Sequence, residues 1–165
     1  MATRATDGLP IRTASTDHRR RNIQRCPAGT ANAPDTLFHM RSHCSVFVDA
    51  GYLLASAATR VTGTSLRNGI HVEYRQLIDA LMRQAEQASG LPVLRVHWYD
   101  SAKDGVPDPQ QERIGELPKV KLRLGRFGVD GQQKGVDLRI GLDLVTHARN
   151  GAAEVFFLVS GDDDL

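Results

Sequence analysis

The amino-acid sequence predicts an α/β fold in which a mainly parallel β-sheet carries helices on both faces. Short apolar runs alternate along the chain with segments of helical spacing. The run at residues 155–159 is apolar throughout, which is typical of a strand buried on both sides. Strands that alternate with helices are joined by right-handed crossovers, which place helices on the sheet faces. Because such sheets bind ligands beyond the carboxyl ends of their strands, we expect the functional residues at that edge.

The first predicted strand covers residues 45–48, a short apolar run that ends at Asp49. A helix is predicted to start over residues 52–58, before a loop rich in Gly, Thr, Ser and Asn at 62–69. Residues 72–89 form the next predicted helix, because their apolar side chains recur at helical spacing along one face.

The second predicted strand covers residues 93–99 and has Asp100 at its carboxyl end. A connection that contains Pro and Gly follows at 105–118, and no regular element is predicted there. Residues 119–127 alternate basic with apolar side chains, which predicts a strand with one face in water.

The last two predicted elements are a helix and a buried strand. Residues 135–150 have a broad apolar surface at helical spacing, and Gly151 is predicted to cap this helix. Residues 155–159 are all apolar and lead into three consecutive aspartates, residues 162–164. Neighbouring carboxylates repel one another by about 1 kcal/mol per pair in water and about 4 at an effective dielectric near 20. A cation is therefore expected beside them.

Charge divides the chain into a basic extension at residues 1–43 and a domain at residues 44–165. The extension has seven arginines against three aspartates, whereas the domain has a net charge of −2. The composition of the extension predicts disorder. Three interpretations of the extension remain open: an arm that binds RNA, a transit peptide, or a segment without function. Two cysteines indicate a reducing cytoplasm, with neither a disulfide framework nor a zinc site. No segment has the roughly 20 apolar residues of a membrane span, so no membrane partner is expected.

Acidic side chains follow the apolar strands at the predicted carboxyl edge. Asp49 and Asp162 lie side by side if their strands are neighbours, because paired strands are about 4.8 Å apart. Asp164 points to the same side as Asp162 if the backbone stays extended. Asp137 falls in the first turn of a helix, where the helix dipole favours an ionised carboxylate, although a plain helix-start residue is the simpler interpretation. Asp143 lies about 120° further around that helix and is the weaker candidate ligand.

An all-carboxylate cluster favours a hard cation, Mg²⁺ or Mn²⁺. Such an ion can activate a bound water and neutralise charge on a scissile phosphate. The histidines are scattered and show no zinc spacing.

Three segments of the chain resemble the signature segments of the NYN domain, a PIN-like nuclease family, in its bacterial LabA-like branch. They are residues 46–53, residues 134–143 with Lys-Gly-Val-Asp, and residues 158–164 with Ser-Gly-Asp-Asp-Asp. The resemblance covers roughly residues 44–165. It implies a three-layer Rossmann-like PIN fold and metal-dependent cleavage of RNA. A complete domain of this type continues into another helix and strand, so the last helix and strand are expected to be missing here.

The resemblance also implies residue roles. Asp49, Asp137, Asp162 and Asp164 match the family's catalytic, metal-binding acids, and Asp143 matches a recurrent second acid of the helix motif. The family often has Asn where Tyr52 stands, and a tyrosine there can stack on a base.

The expected activity is that of a Mg²⁺- or Mn²⁺-dependent endoribonuclease that hydrolyses single-stranded RNA in the cytoplasm. The candidate substrate-binding residues are basic side chains together with Tyr52: Lys121, Arg123, Lys134 and Arg139. A solvated strand face explains the strand lysine and arginine equally well. The alternative function is a non-catalytic regulatory or protein- or RNA-binding module, and a homodimer is left open. A haloacid dehalogenase-type phosphohydrolase needs a second Asp where Gly51 stands.

Overall fold

The computed structural model describes residues 12–14, 42–127 and 133–161 of the 165-residue chain. The strands of these ranges form one sheet in the order β1-β6-β2-β3-β4-β5. They are β1 (Arg12–Ala14), β2 (Cys44–Asp49), β3 (Val93–Ala102), β4 (Val120–Phe127), β5 (Gln133–Lys134) and β6 (Val155–Val159). The four central strands run parallel, and β1 and β5 pair antiparallel at the two edges. The predicted mainly parallel sheet is confirmed.

Helices cover both faces of the sheet, which confirms the three-layer α/β prediction. They are α1 (Ala50–Thr62), α2 (Tyr74–Ser89), α3 (Pro109–Gly115) and α4 (Val136–Arg149). Two short 3₁₀ helices, Arg67–Gly69 and Lys103–Gly105, lie in the connections. The first three α-helices pack on one face of the sheet, and α4 packs on the other.

Alternation along β2 and β3 divides the core between the two faces. Val48 and Trp98 are fully buried with the side chains of α1 and α2. Phe47 and Tyr99 are fully buried on the opposite face, where Ile140 of α4 packs against them. Successive strand residues point to opposite faces of the sheet. The same alternation therefore determines the face on which the last residues of β2 and β3 lie.

Helix α3 lies inside the connection for which no regular element was predicted. Asp108 begins it: its Oδ1 accepts hydrogen bonds from the backbone N–H groups of Gln110 and Gln111, each at 2.8 Å. The Gln111 side chain accepts in return from the Asp108 N–H, which completes a capping box, and Pro109 stands at the first helical position. A short helix with few apolar residues is stabilised largely by its ends, so hydrophobic periodicity did not reveal it.

Only part of the apolar surface that was predicted for the last helix is buried where α4 packs on the sheet. Val136 and Ile140 are buried against the sheet, whereas Leu138, Leu142 and Val145 are exposed. Within the described ranges α4 is the only helix on its face, so its outer side has nothing to pack against.

The two edge strands carry no periodicity that could have predicted them. β1 belongs to the extension for which disorder was predicted, and its residues pair with Phe156, Phe157 and Leu158 of β6. The other residues of that extension, apart from Ser42 and His43, lie outside the described ranges. None of the helices that the structure describes combines the length and the apolar character of a bilayer span.

Candidate active site

Asp49 lies where β2 passes directly into α1. It is the last residue of the strand and the N-cap of the helix, and its Oδ1 accepts a hydrogen bond from the Tyr52 N–H at 3.0 Å. Aspartate is favoured at an N-cap because it satisfies one of the helix's free N–H groups. Only 6% of the residue is exposed. The strand–helix junction thus fixes a nearly buried carboxylate at the carboxyl edge of the sheet.

Asp137 lies in the first turn of α4, within range for its charge to act on Asp49. Burial raises the pKa of the Asp49 carboxyl; the hydrogen bond from Tyr52 lowers it, and the negative charge of Asp137 raises it again. Gly135 makes this placement possible, because its φ of 77° at the start of α4 is a backbone conformation that favours glycine. The structure therefore brings two of the predicted acids together, and a cation between them would relieve their repulsion.

The end of β6 reaches the same edge. β6 pairs in parallel with β2, and Val159 is level with Val48. Gly161, two residues further, lies against the Tyr52 ring: a Cβ atom at this position would be 1.9 Å from the ring's Cζ. The absence of a side chain therefore allows the close approach. Asp162 and Asp164, the two other predicted ligands, lie outside the described residues.

The described ranges contain no group of three or more His, Cys, Asp or Glu side chains placed to hold a metal ion. Asp49 and Asp137 supply two carboxylates, and Mg²⁺ characteristically combines one or two carboxylates with waters and substrate phosphates. Two carboxylates are therefore suitable ligands for an ion such as Mg²⁺ that also binds waters and substrate phosphates. They are too few for a site in which protein side chains supply all of the ligands.

Asp143 takes part in a different set of contacts. Its Oδ2 accepts a hydrogen bond from the Tyr99 hydroxyl at 2.8 Å and lies 3.5 Å from Nε of Arg123. Burial raises the pKa of Tyr99, and the hydrogen bond and charge of Asp143 raise it further. These contacts join α4 to β3 and β4, and they occupy the carboxylate that was predicted as the weaker ligand.

The predicted basic residues are spread over β4, β5 and α4. Arg123 pairs in register with Tyr99, which pairs with Asp49, so it is level with Asp49 two strands away, about 10 Å. Lys121 is exposed two residues earlier in β4. The Arg139 guanidinium donates a hydrogen bond to the Leu124 carbonyl. The side chain of Lys134 lies outside the described part of the chain, although its backbone forms β5.

A partly buried ion pair beside this edge was not predicted from the sequence. Asp100 is 6% exposed, and its Oδ1 accepts hydrogen bonds from Arg67 Nη1 at 2.9 Å and from the Ser101 N–H at 2.8 Å. Its Oδ2 accepts from Gln111 Nε2 at 3.2 Å. The sequence contained a signal for Asp100, because this residue follows an apolar run just as Asp49 does. The residues around Arg67 gave no indication of the pairing, since Arg67 is 33 residues from Asp100 in sequence.

Comparison with known proteins places this architecture in a family. The sequence model of the NYN domain matches residues 43–165. A protein of Sinorhizobium fredii (strain NBRC 101917 / NGR234), named "Uncharacterized protein y4oD", is 46% identical over 55 residues. That match covers 33% of this chain and 26% of the relative, so the chain spans about a quarter of the relative's length. None of the solved structures matches. NYN nucleases generally use divalent metals and act on RNA. The predicted family is confirmed: this chain belongs to the NYN domain family, within the PIN-like nuclease superfamily.

Proposed function

We propose that this protein is a Mg²⁺- or Mn²⁺-dependent endoribonuclease that cleaves single-stranded RNA. The observation that carries this proposal is the nearly buried Asp49 carboxylate with the Asp137 charge beside it at the carboxyl edge of a parallel sheet. Neighbouring carboxylates repel one another, a bound cation offsets that repulsion, and parallel sheets bind their ligands at this edge.

Asp49 and Asp137 would hold the ion, together with Asp162 and Asp164 from the segment after β6. When bound, a divalent cation activates a water and neutralises charge on a phosphate that undergoes hydrolysis. Asp49 suits this role because the α1 N-terminus fixes its carboxylate through the Tyr52 N–H. Its side chain therefore needs little reorganisation when a cation arrives.

Tyr52 and the β4 side chains would position the RNA. The Tyr52 ring lies in the first turn of α1 and against Gly161, beside the acid pair. Stacking a base on this ring requires an unpaired base, which favours a single strand over a duplex. Lys121 is exposed and Arg123 is partly exposed, so both can face the phosphate backbone on the side of α4. Arg139 would act by holding β4 in place, since its guanidinium is bound to the Leu124 carbonyl.

The alternative is a non-catalytic NYN module that binds RNA or protein and regulates it. One observation favours it: within the described ranges only two acids come together at this edge, and no larger metal-binding group is found. Either function fits a cytoplasmic protein, since the buried Cys44 is a free thiol.

The two functions differ in turnover. Incubation of a 5′-labelled single-stranded RNA with the full chain and Mg²⁺ or Mn²⁺ is expected to give internal cleavage products. Chelation with EDTA is expected to abolish them, and the same sequence as a duplex is expected to be cleaved more slowly. Binding of the RNA with no cleavage in either metal would contradict the nuclease and support the module.

A further inference from the structure

Basic side chains form a line on the face of the sheet that carries α4. His97 and Tyr99 of β3 lie on this face, since both rings stack on Phe47, which packs under α4. In β4, Lys121 pairs in register with His97, and Arg123 pairs in register with Tyr99. Paired residues of neighbouring strands point to the same face of a sheet. Both β4 cations therefore lie on the α4 face.

Arg95 extends this line on β3. It lies two residues before His97, so the alternation of the strand places it on the same face. Burial lowers the pKa of His97, and the charges of His147, Arg123 and Arg95 lower it further. The two arginines therefore both lie within electrostatic range of this ring, although they stand at opposite ends of the line.

The three cations follow one another at a short, repeated spacing. Side chains on one face of a strand are about 6.6 Å apart, which is the distance from Arg123 to Lys121. Arg95 lies two residues further toward the opposite edge and one strand away, at about 8 Å from Lys121. Because Arg123 is level with Asp49, the line leads from the acid pair toward the opposite edge of the sheet.

Two of the cations have no acidic partner in the described ranges. Arg95 and Lys121 are exposed, and neither forms an ion pair with a described residue. The surface is thus positive although the domain at residues 44–165 has a net charge of −2. Its cations are available to an external anion.

The third cation is partly fixed before any ligand binds. The Asp143 carboxylate, which accepts a hydrogen bond from Tyr99, lies 3.5 Å from Nε of Arg123. The Arg123 side chain is nevertheless 36% exposed, so part of its guanidinium remains accessible. A side chain that is already ordered loses less conformational entropy when it binds an anion.

We propose that Arg123, Lys121 and Arg95 form a track for the sugar–phosphate backbone of RNA, which leads from the acid pair across the α4 face toward the opposite edge of the sheet. A row of cations suits a polymer with one negative charge in each unit. The proposal rests on the proposed function for the identity of that polymer as RNA. It adds Arg95 as a contact remote from the reaction, and it makes binding along the track independent of base sequence, since phosphates carry none.

The salt dependence of binding tests the track without catalysis. Fluorescence anisotropy of a labelled oligouridine of about 12 nucleotides, titrated with the full chain in EDTA at several KCl concentrations, gives the slope of log Kobs against log salt. For a single strand this slope is about −0.7 for each phosphate that a cation neutralises. Arg95→Gln and Lys121→Gln are each expected to make it less negative by about 0.7, and to weaken binding about fivefold at about 0.1 M KCl.

A matched control shows whether the effect belongs to the track. Arg83→Gln makes the same charge change at an exposed position of α2, which packs on the other face of the sheet, and its slope should equal that of the unmodified protein. The arginines of the extension at residues 1–43 are the same in all variants, so the differences between slopes carry the result. An oligoadenosine of the same length should give the same differences.

The outcomes separate the track from the reaction. Unchanged slopes in Arg95→Gln and Lys121→Gln, an equal change in Arg83→Gln, or differences that depend on the base would overturn the track. Because EDTA prevents metal-dependent cleavage, the expected slopes without turnover in Mg²⁺ or Mn²⁺ would contradict the nuclease alone. Cleavage together with unchanged slopes would contradict the track alone.

Discussion

Asp49→Asn and Asp137→Asn are each expected to slow metal-dependent RNA cleavage by about 10³-fold, since a bound cation supplies several kcal/mol of transition-state charge stabilisation. Asparagine keeps the size of the side chain and removes the charge that holds the cation. Initial rates on a labelled single-stranded RNA at fixed Mg²⁺, with folding checked by circular dichroism, measure the effect.

The same substitution at Asp49 is expected to stabilise the metal-free protein. Asparagine is as good an N-cap as aspartate, so the hydrogen bond from Tyr52 survives, while the buried charge beside Asp137 disappears. Asp49→Ala removes the cap as well and should cost about 1 kcal/mol relative to asparagine. Urea unfolding in EDTA distinguishes the two variants, and lost activity with raised stability is the pattern expected of a binding-site residue.

Glu154→Gln is the matched control. It also removes one negative charge, but Glu154 is exposed and lies just before β6, at the opposite edge of the sheet. Its activity is expected to equal that of the unmodified protein. If Asp49→Asn and Glu154→Gln cleave RNA at the same rate, the acid pair has no role in the reaction.

The free energy of unfolding is expected to fall by about 3 kcal/mol as the pH is lowered from about 7 to about 4, because of His97. This side chain is 4% exposed and lies between the rings of Phe47 and His147, with centroids 4.5 and 4.8 Å away. Burial lowers the pKa of His97 to about 4, and His147 contributes to the lowering.

The direction of this pH effect follows from which state of the protein, unfolded or folded, takes up the proton at His97. Between about pH 6.5 and pH 4 the unfolded chain takes up a proton at His97 and the folded protein does not, so acid favours unfolding. His97→Phe keeps a ring against Phe47 and removes the titration, so the loss of stability in this window should become smaller by about that amount. His71→Phe changes an exposed histidine and should leave the pH dependence intact. Equal pH dependence in all three proteins, measured by urea unfolding, would refute the assignment to His97.

The sequence was sufficient to predict those features that depend only on residues close together in the chain. The apolar run of β6 was predicted over its observed bounds, and Asp49 and Asp137 were found because each follows a recognisable strand end or helix start. The predicted three-layer architecture followed from the same alternation of elements.

Pairings between distant segments could not be predicted in this way. The ion pair of Arg67 with Asp100 depends on how the connection after α1 folds over β3, and the Tyr99–Asp143 hydrogen bond depends on how α4 sits on the sheet. Helix α3 was missed because its stability comes from the Asp108 capping box, which apolar periodicity does not detect.

Paramagnetic broadening by Mn²⁺ tests the central claim, a divalent-cation site at Asp49 and Asp137, most directly. In ¹⁵N spectra of the full chain, substoichiometric Mn²⁺ is expected to broaden first the amide signals of Ala50, Tyr52 and Asp137. Glu154, at the opposite edge, should stay sharp until much more Mn²⁺ is present, and Asp49→Asn should abolish the selective loss. Uniform broadening, or broadening that Asp49→Asn does not change, would contradict the account.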